Sequence, residues 1–177
     1  MGGVKTEKRI PVVHCAAEWD NKKNSADYAG VKTCAGAMEI FGGGMECEYG
    51  CMGFGDCERV CSPGVLRMIN GLPRIIMENC TACGRCADVC PRGIISMEEK
   101  KYEKLFYVAC NSRDDTVRTK KVCNVGCIAC QICEKLSEGK LFKVKDNIAG
   151  ACFEKQSDQG AVKAVADKCP TRVIKEV

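Results

Sequence analysis

The stretch Cys80-Thr-Ala-Cys83-Gly-Arg-Cys86-Ala-Asp-Val-Cys90-Pro91 decides the fold, because it spaces four cysteines as C-x2-C-x2-C-x3-C-P. That spacing suits [4Fe–4S] clusters. Three thiolates two residues apart, on a tight loop with Gly84, can wrap one cube while its inorganic sulfurs accept backbone N–H bonds. The following turn of helix carries the fourth thiolate to a neighbouring cube, and Pro91 ends that helix. A zinc ribbon would instead place two C-x2-C knuckles across a long spacer.

A pair of cubes needs a second motif, and Cys47-x3-Cys51-x5-Cys57-x3-Cys61 lies upstream, stretched in the middle and with Ser62 before Pro63. Between the motifs, Val65–Ile69 and Arg74–Met77 flank Asn70-Gly71, a strong hairpin signal. Crosswise ligation, as in two-cluster ferredoxins, assigns Cys47, Cys51, Cys57 and Cys90 to cluster one. Cluster two takes Cys61, Cys80, Cys83 and Cys86.

Composition agrees with a metal-built interior. Of 177 residues, 17 are cysteine, whereas Leu, Ile, Val and Phe together number only 37, a thin supply for an apolar core. The cysteine count is odd and no secretory signal opens the chain, so a disulfide scaffold is disfavoured. A single histidine, His14, excludes zinc sites built on two histidines. The net charge of +4 is too small for a nucleic-acid footprint, and no apolar run is long enough to span a membrane.

A shift of 76 residues superposes Cys34 on Cys110, Cys47 on Cys123, Cys51 on Cys127 and Cys57 on Cys133. It also lays Val65–Ile69 over Leu141–Lys145 and Asn70-Gly71 over Asp146-Asn147. The expected fold class is therefore α+β: tandem ferredoxin-like repeats of short β-hairpins and short helices around [4Fe–4S] clusters, the second repeat degenerate. The expected divisions are 1–30, a segment carrying Cys15; 31–97, the two-cluster repeat; 98–106, a linker or hairpin within the charged run Met97–Tyr102; and 107–177, the degenerate repeat. Leu105–Ala109 reads as a strand and Ala161–Lys168 as a helix capped by Ser157 or Asp158.

In the second repeat Cys127, Cys130, Cys133 and the terminal Cys169-Pro170 form a third cluster site, with Cys130 standing where the first repeat has Phe54. Ser137 occupies the place that Cys61 would predict, so the partner site has lost its ligands, and Cys152 reads as its relic. Subtraction leaves Cys15, Cys34, Cys110 and Cys123 for a fourth cluster. A rival grouping places Cys34, Cys47, Cys110 and Cys123 together, with Cys15 completing cluster one; several of these residues as plain buried thiols is the bland alternative. Phe41-Gly42-Gly43-Gly44 lacks nucleotide-binding spacing and reads as a flexible loop. His14 is expected beside a cluster or on the surface, Trp19 in packing, and Tyr49 and Phe54 shielding cluster one.

From Val-His-Cys15 through Cys47-Glu-Tyr-Gly-Cys51-Met-Gly-Phe-Gly-Asp-Cys57, Tyr-Val-Ala-Cys110 and Lys-Val-Cys123-Asn-Val-Gly-Cys127, the chain resembles the polyferredoxin region of the B subunit of Rnf-type electron transport complexes. The resemblance implies an electron relay between ferredoxin and NAD, coupled through its complex to ion transport. Members usually carry a membrane-anchoring helix, a further cysteine-rich segment and a complete second ferredoxin pair, which these residues lack.

The function expected is an iron–sulfur electron-transfer subunit of a multisubunit oxidoreductase, with three [4Fe–4S] clusters and a fourth from the remaining cysteines. Its partners are redox proteins, a ferredoxin or a flavoprotein subunit, and its place is cytoplasmic, membrane-associated through those partners. No acid–base set or substrate site of its own is present. A freestanding polyferredoxin carrier is the alternative, and a zinc protein the third hypothesis.

Overall fold

The computed structural model describes residues 9–177, and the architecture is α+β. Among those residues four antiparallel two-stranded sheets are joined by short helices. Strand β1 (Arg9–Val13) pairs with β4 (Ile95–Glu99), β2 (Leu66–Ile69) with β3 (Leu72–Ile75), β5 (Phe106–Val108) with β8 (Ile174–Glu176), and β6 (Phe142–Lys145) with β7 (Ile148–Ala151). The helices are α1 (Cys34–Glu39), α2 (Asp56–Arg59), α3 (Arg85–Asp88), α4 (Thr116–Val122), α5 (Ile132–Leu136) and α6 (Gln159–Asp167). Among the described residues no helix is long and apolar enough to cross a membrane.

Local chemistry explains the elements. Asn70 and Gly71 adopt φ of 49° and 75°, the double left-handed geometry of a two-residue hairpin, with Ile69 facing Leu72. Asp146 and Asn147 (φ 51° and 62°) do the same for β6–β7, using residue types that tolerate that region. Helices α4 and α6 begin on side-chain caps, the Asp115 carboxylate accepting from the Arg118 N–H and that of Asp158 from the Ala161 N–H, each at 2.9 Å.

The same order recurs in both halves: an outer strand, a helix or two, a hairpin, a 3-10 turn, a helix and a closing strand that pairs with the first. Hairpins β2–β3 and β6–β7 lie 76 residues apart, as do the 3-10 turns Met77–Asn79 and Phe153–Lys155. In both halves the residue following the outer strand donates its N–H to the closing segment, His14 to the Ile94 carbonyl at 2.7 Å and Ala109 to that of Val173 at 2.8 Å.

Two stretches differ from expectation. The charged run Met97–Tyr102 is strand as far as Glu99, because β4 pairs with β1 along its whole length, Met97 opposite Pro11. Residues 9–13 thereby join the first half instead of standing apart. Gly42, Gly43 and Gly44, expected in a flexible loop, form a packed corner with φ of 61°, 70° and 75°; a Cβ on Gly44 would meet the Ala26 carbonyl and one on Gly42 the Arg92 guanidinium.

Thiols share the cores with aliphatic residues. In the first half Leu66, Leu72, Ile94 and Ile95 pack with Cys51 and Cys57 against Cys15, Cys61, Cys86 and Cys90. In the second, Phe106, Phe142, Val162 and Val173 pack with Cys127 and Cys133.

Candidate iron–sulfur sites

Two loops of one shape build two of the sites. After Cys80 the backbone turns through Ala82 (φ 55°) and Gly84 (φ 80°) before α3 begins; after Cys127 it turns through Ala129 (φ 49°) and Gln131 (φ 62°) before α5 begins. Such turns direct successive N–H groups to one side of the chain, where sulfur acceptors belong. Cys61, Cys80, Cys83 and Cys86 line a small pocket walled by Pro63, Val65, Leu66 and Ile75. Cys127, Cys130, Cys133 and Cys169 line another walled by Val144, Ala149, Val173 and Ile174. The middle thiol of each loop, Cys83 or Cys130, is exposed. Hydrogen bonding from the Arg85 backbone holds the Cys83 thiol below its ordinary pKa.

A third group forms where α1 meets α2. The buried Asp56 carboxylate accepts from the N–H groups of Cys34 (2.9 Å) and Ala35 (3.0 Å), and Arg59 pairs with it, so the start of α1 is fastened to α2. The Cys57 thiol is pushed up to about 12 by burial, then by the neighbouring thiols of Cys51, Cys34 and Cys90. Cys51, Cys34 and Cys90 thus lie within electrostatic reach of Cys57, where Cys47 was expected. Phe54 packs against Cys34 and Tyr28 in the same region.

The fourth group is central. Cys15, Cys47, Cys110 and Cys123 line a pocket together with His14, Lys22, Tyr49, Thr119 and Val122. Of the expected fourth set, Cys15, Cys110 and Cys123 meet here, while Cys47 takes the position assigned to Cys34. The two halves contribute alike. Cys15 and Cys110 each follow an outer strand by two residues, and Cys47 and Cys123 each precede the loop cysteine, Cys51 or Cys127, by four. The 76-residue shift paired Cys34 with Cys110 because 31 residues separate Cys15 from Cys47 but only 12 separate Cys110 from Cys123. The surplus carries α1 and Cys34. The available signal was Phe54: a loop short of one thiol calls for a ligand from elsewhere.

His14 is held at the central wall by both ring nitrogens, Nδ1 to the Val108 carbonyl (3.0 Å) and Nε2 to Ser96 Oγ (2.8 Å). Trp19 is 44% exposed and lies against Gly53 and Gly71. Cys152 lines none of the three pockets; counted by 76 residues it corresponds to Ile76, not to a cysteine. All 17 cysteines are free thiols.

The donor sets fit cubes. Each is four thiols, and burial pushes Cys51 and Cys110 up to about 12, as for Cys57, so metal loading must displace protons from thiols that the bare protein keeps neutral. Among the described residues no three Cys, His, Asp or Glu side chains converge on a single-ion site; the thiols of three groups line small pockets instead.

Helices and short contacts link the groups pairwise. Helix α2 carries Cys57 in the third group and is followed by Cys61 in the Cys80 loop group; α3 carries Cys86 there and is followed by Cys90 in the third group. The Cys51 N–H donates to Cys15 Sγ at 3.4 Å, joining the third group to the central one. The Cys127 N–H reaches the Cys110 thiol, joining the central group to the Cys127 loop.

Residues 73–96 match the family model described as 4Fe-4S binding domain. Over 168 residues the chain is 32% identical to the B subunit of the Na(+)-translocating ferredoxin:NAD(+) oxidoreductase complex of Acetobacterium woodii, covering 94% of this chain and 49% of that protein. It is 34% identical to the B subunit of the ion-translocating oxidoreductase complex of Methanosarcina acetivorans, covering 96% of this chain and 62% of that protein. For the B subunit of the proton-translocating ferredoxin:NAD(+) oxidoreductase complex of Clostridium ljungdahlii the identity is 32%, covering 97% and 60%. The chain thus spans about half to three-fifths of the length of these curated relatives. Its residues 73–96 thus match a 4Fe-4S binding domain, and nearly all of its length is similar to part of the B subunits of these ion-translocating oxidoreductase complexes.

Proposed function

We propose that this chain is the iron–sulfur relay of an Rnf-type oxidoreductase, passing single electrons along four [4Fe–4S] sites in the order Cys80 loop, Cys34–Cys51–Cys57–Cys90, central quartet, Cys127 loop. The observation that carries this is the pairwise linkage of four thiol quartets by helices and backbone N–H groups. When bound, a cube supplies one-electron chemistry whose potential follows net charge, N–H···S bonding and exposure. The protein's part is to hold thiolates on short elements pinned by the Asp56 cap and the paired outer strands, and to keep water out with Leu66, Phe142 and Val173.

The exposed Cys83 and Cys130 loops lie at the two ends of this row and are where redox partners, a ferredoxin or a flavoprotein subunit, would dock. The names of the curated relatives point to ferredoxin and NAD(+) as donor and acceptor of the complex, and association with a membrane would come through partner subunits. A freestanding carrier is less well supported, since carriers of this kind are often acidic and this chain is +4.

The recurrence of elements supports a tandem duplication whose second half has closed one site. Counted by 76 residues, Ser137, Gln156, Gln159 and Val162 stand where Cys61, Cys80, Cys83 and Cys86 stand in the first half. Val162 and Gln156 are fully buried and Ser137 nearly so. The positions of the four thiols are thus held by side chains that cannot ligate iron as thiolates.

Anaerobic iron analysis with EPR tests the proposal. Four sites require about sixteen irons per chain, at four per cube. About twelve would reduce the relay to three sites and overturn the four-site order, and zinc in place of iron would overturn the whole reading.

A further inference from the structure

Two cations press on the junction between the third and central groups. Lys22 projects into the central wall, its Nζ donating to the Gly71 carbonyl at 2.7 Å and lying 4.6 Å from the centre of the Trp19 ring. Arg92 donates to the carbonyls of Cys47 (2.8 Å) and Gly50 (2.6 Å), and its Nε is buried without a partner. Among the described residues neither forms an ion pair with a carboxylate. Glu48 lies within electrostatic reach of Arg92; the groups that act on Lys22 are the thiols of Cys51, Cys15, Cys123 and Cys47.

A half-buried ammonium with one hydrogen bond and no acid beside it is costly unless negative charge arrives from elsewhere. Four thiolates and an iron–sulfur core would bring that charge. Lys22 also sits where it can act on two sites at once, because Cys51 belongs to one quartet and Cys15, Cys47 and Cys123 to the next. The backbone fixes it there: Lys22 bridges to Cys123 across the halves, and Trp19, whose ring the ammonium approaches, packs closely on Gly53 and Gly71. The linings of the two outer pockets include Arg85 at the Cys80 loop, exposed and bonded to Ser62, and no lysine or arginine at the Cys127 loop.

We propose that Lys22 is the counter-charge of the two inner sites and raises their reduction potentials relative to the two outer ones, so that an electron entering the row settles first at its middle. The proposal rests on the four-site reading above. Gaining one electron adds one negative charge to a cube, and a fixed cation beside it favours that reduced form. Arg92 supports the same junction chiefly by anchoring the Cys47–Cys51 loop, so the charge is better tested at Lys22.

The experiment is an anaerobic potentiometric EPR titration of the reconstituted full chain, its iron measured in parallel. Lys22→Met removes the charge and keeps the length; Lys22→Arg keeps the charge. With iron unchanged, K22M should move to more negative values the two centres whose signals disappear in Cys51→Ser and Cys123→Ser variants, while the other two hold and K22R stays near the parent. Unchanged midpoints, or an equal shift of all four, overturn the proposal. Should K22M lose iron, K22R decides: recovery of both iron and midpoints upholds the charge, and continued deficiency overturns it in favour of a purely structural contact with Gly71. About twelve irons in the parent chain, at four per cube, would defeat the four-site reading itself. About sixteen with unshifted midpoints would defeat only the role of Lys22.

Discussion

At the scale of single residues, the proposed exchange between Phe54 and Cys34 would let a cluster site tolerate a lost ligand. The Cys127 loop supplies three thiols in sequence, Cys127, Cys130 and Cys133; the Cys51 loop has Phe54 at the middle position and recruits Cys34 from the segment between Cys15 and Cys47. The buried Asp56 makes this possible by bonding the backbone of Cys34 and Ala35. Replacing Cys34 with Ser should remove about four irons per chain, one cube's worth. Phe54→Cys in that background should return them, since a thiol would again stand at the position of Cys130. Iron analysis and EPR of the two variants check this, and a double variant still lacking that iron would mean that Cys34 is needed for more than its thiol.

At the scale of elements, the proposed duplication would have the second half fill with side chains the place of a cube. Gln156 bridges β5, its Oε1 accepting from the Phe106 N–H at 2.9 Å and its Nε2 donating to the Phe106 carbonyl at 2.7 Å, while Ser137 Oγ donates to the Cys133 carbonyl at 2.8 Å. Gln156→Leu would leave both Phe106 groups buried and unpaired, at about 1–3 kcal/mol each, so its urea midpoint should fall clearly below that of the parent. Restoring Ser137→Cys alone should add no iron, because Gln156, Gln159 and Val162 offer no thiols; extra iron in that variant would show the closed-site argument to be mistaken. Much of this level was legible in the sequence. The hairpin turns at Asn70-Gly71 and Asp146-Asn147, the helix cap at Asp158 and the C-x2-C-x2-C loops are local signals, and the structure has them at those positions. Pairings between distant segments were not legible. Nothing local in Arg9–Val13 announces β4 as its partner, and the two unequal spacers, Cys15 to Cys47 and Cys110 to Cys123, hid the equivalence of Cys15 with Cys110 behind a coincidental match of Cys34.

At the scale of the whole molecule, the cubes would be both the wire and much of the core. With few large aliphatic residues and thiols within the buried clusters, removal of iron by a chelator should collapse the far-UV circular dichroism of the chain along with its visible absorption, since the free energy of metal binding is here free energy of folding. The row order makes a sharper prediction. Neighbouring reduced clusters broaden and split one another's EPR signals, and the central quartet is the only one of the four to which both halves contribute cysteines. A Cys15→Ser/Cys123→Ser variant should lose about four irons and, fully reduced, should show one interacting pair from the Cys80 loop and the Cys34–Cys51–Cys57–Cys90 group beside one isolated, unbroadened centre from the Cys127 loop. The same variant should pass electrons poorly between the ends, because removing the middle member lengthens a single step across the boundary of the two halves. If the Cys127 centre stays coupled to the remaining pair, the sites are not arranged in this row, and the central quartet is a branch instead of a bridge.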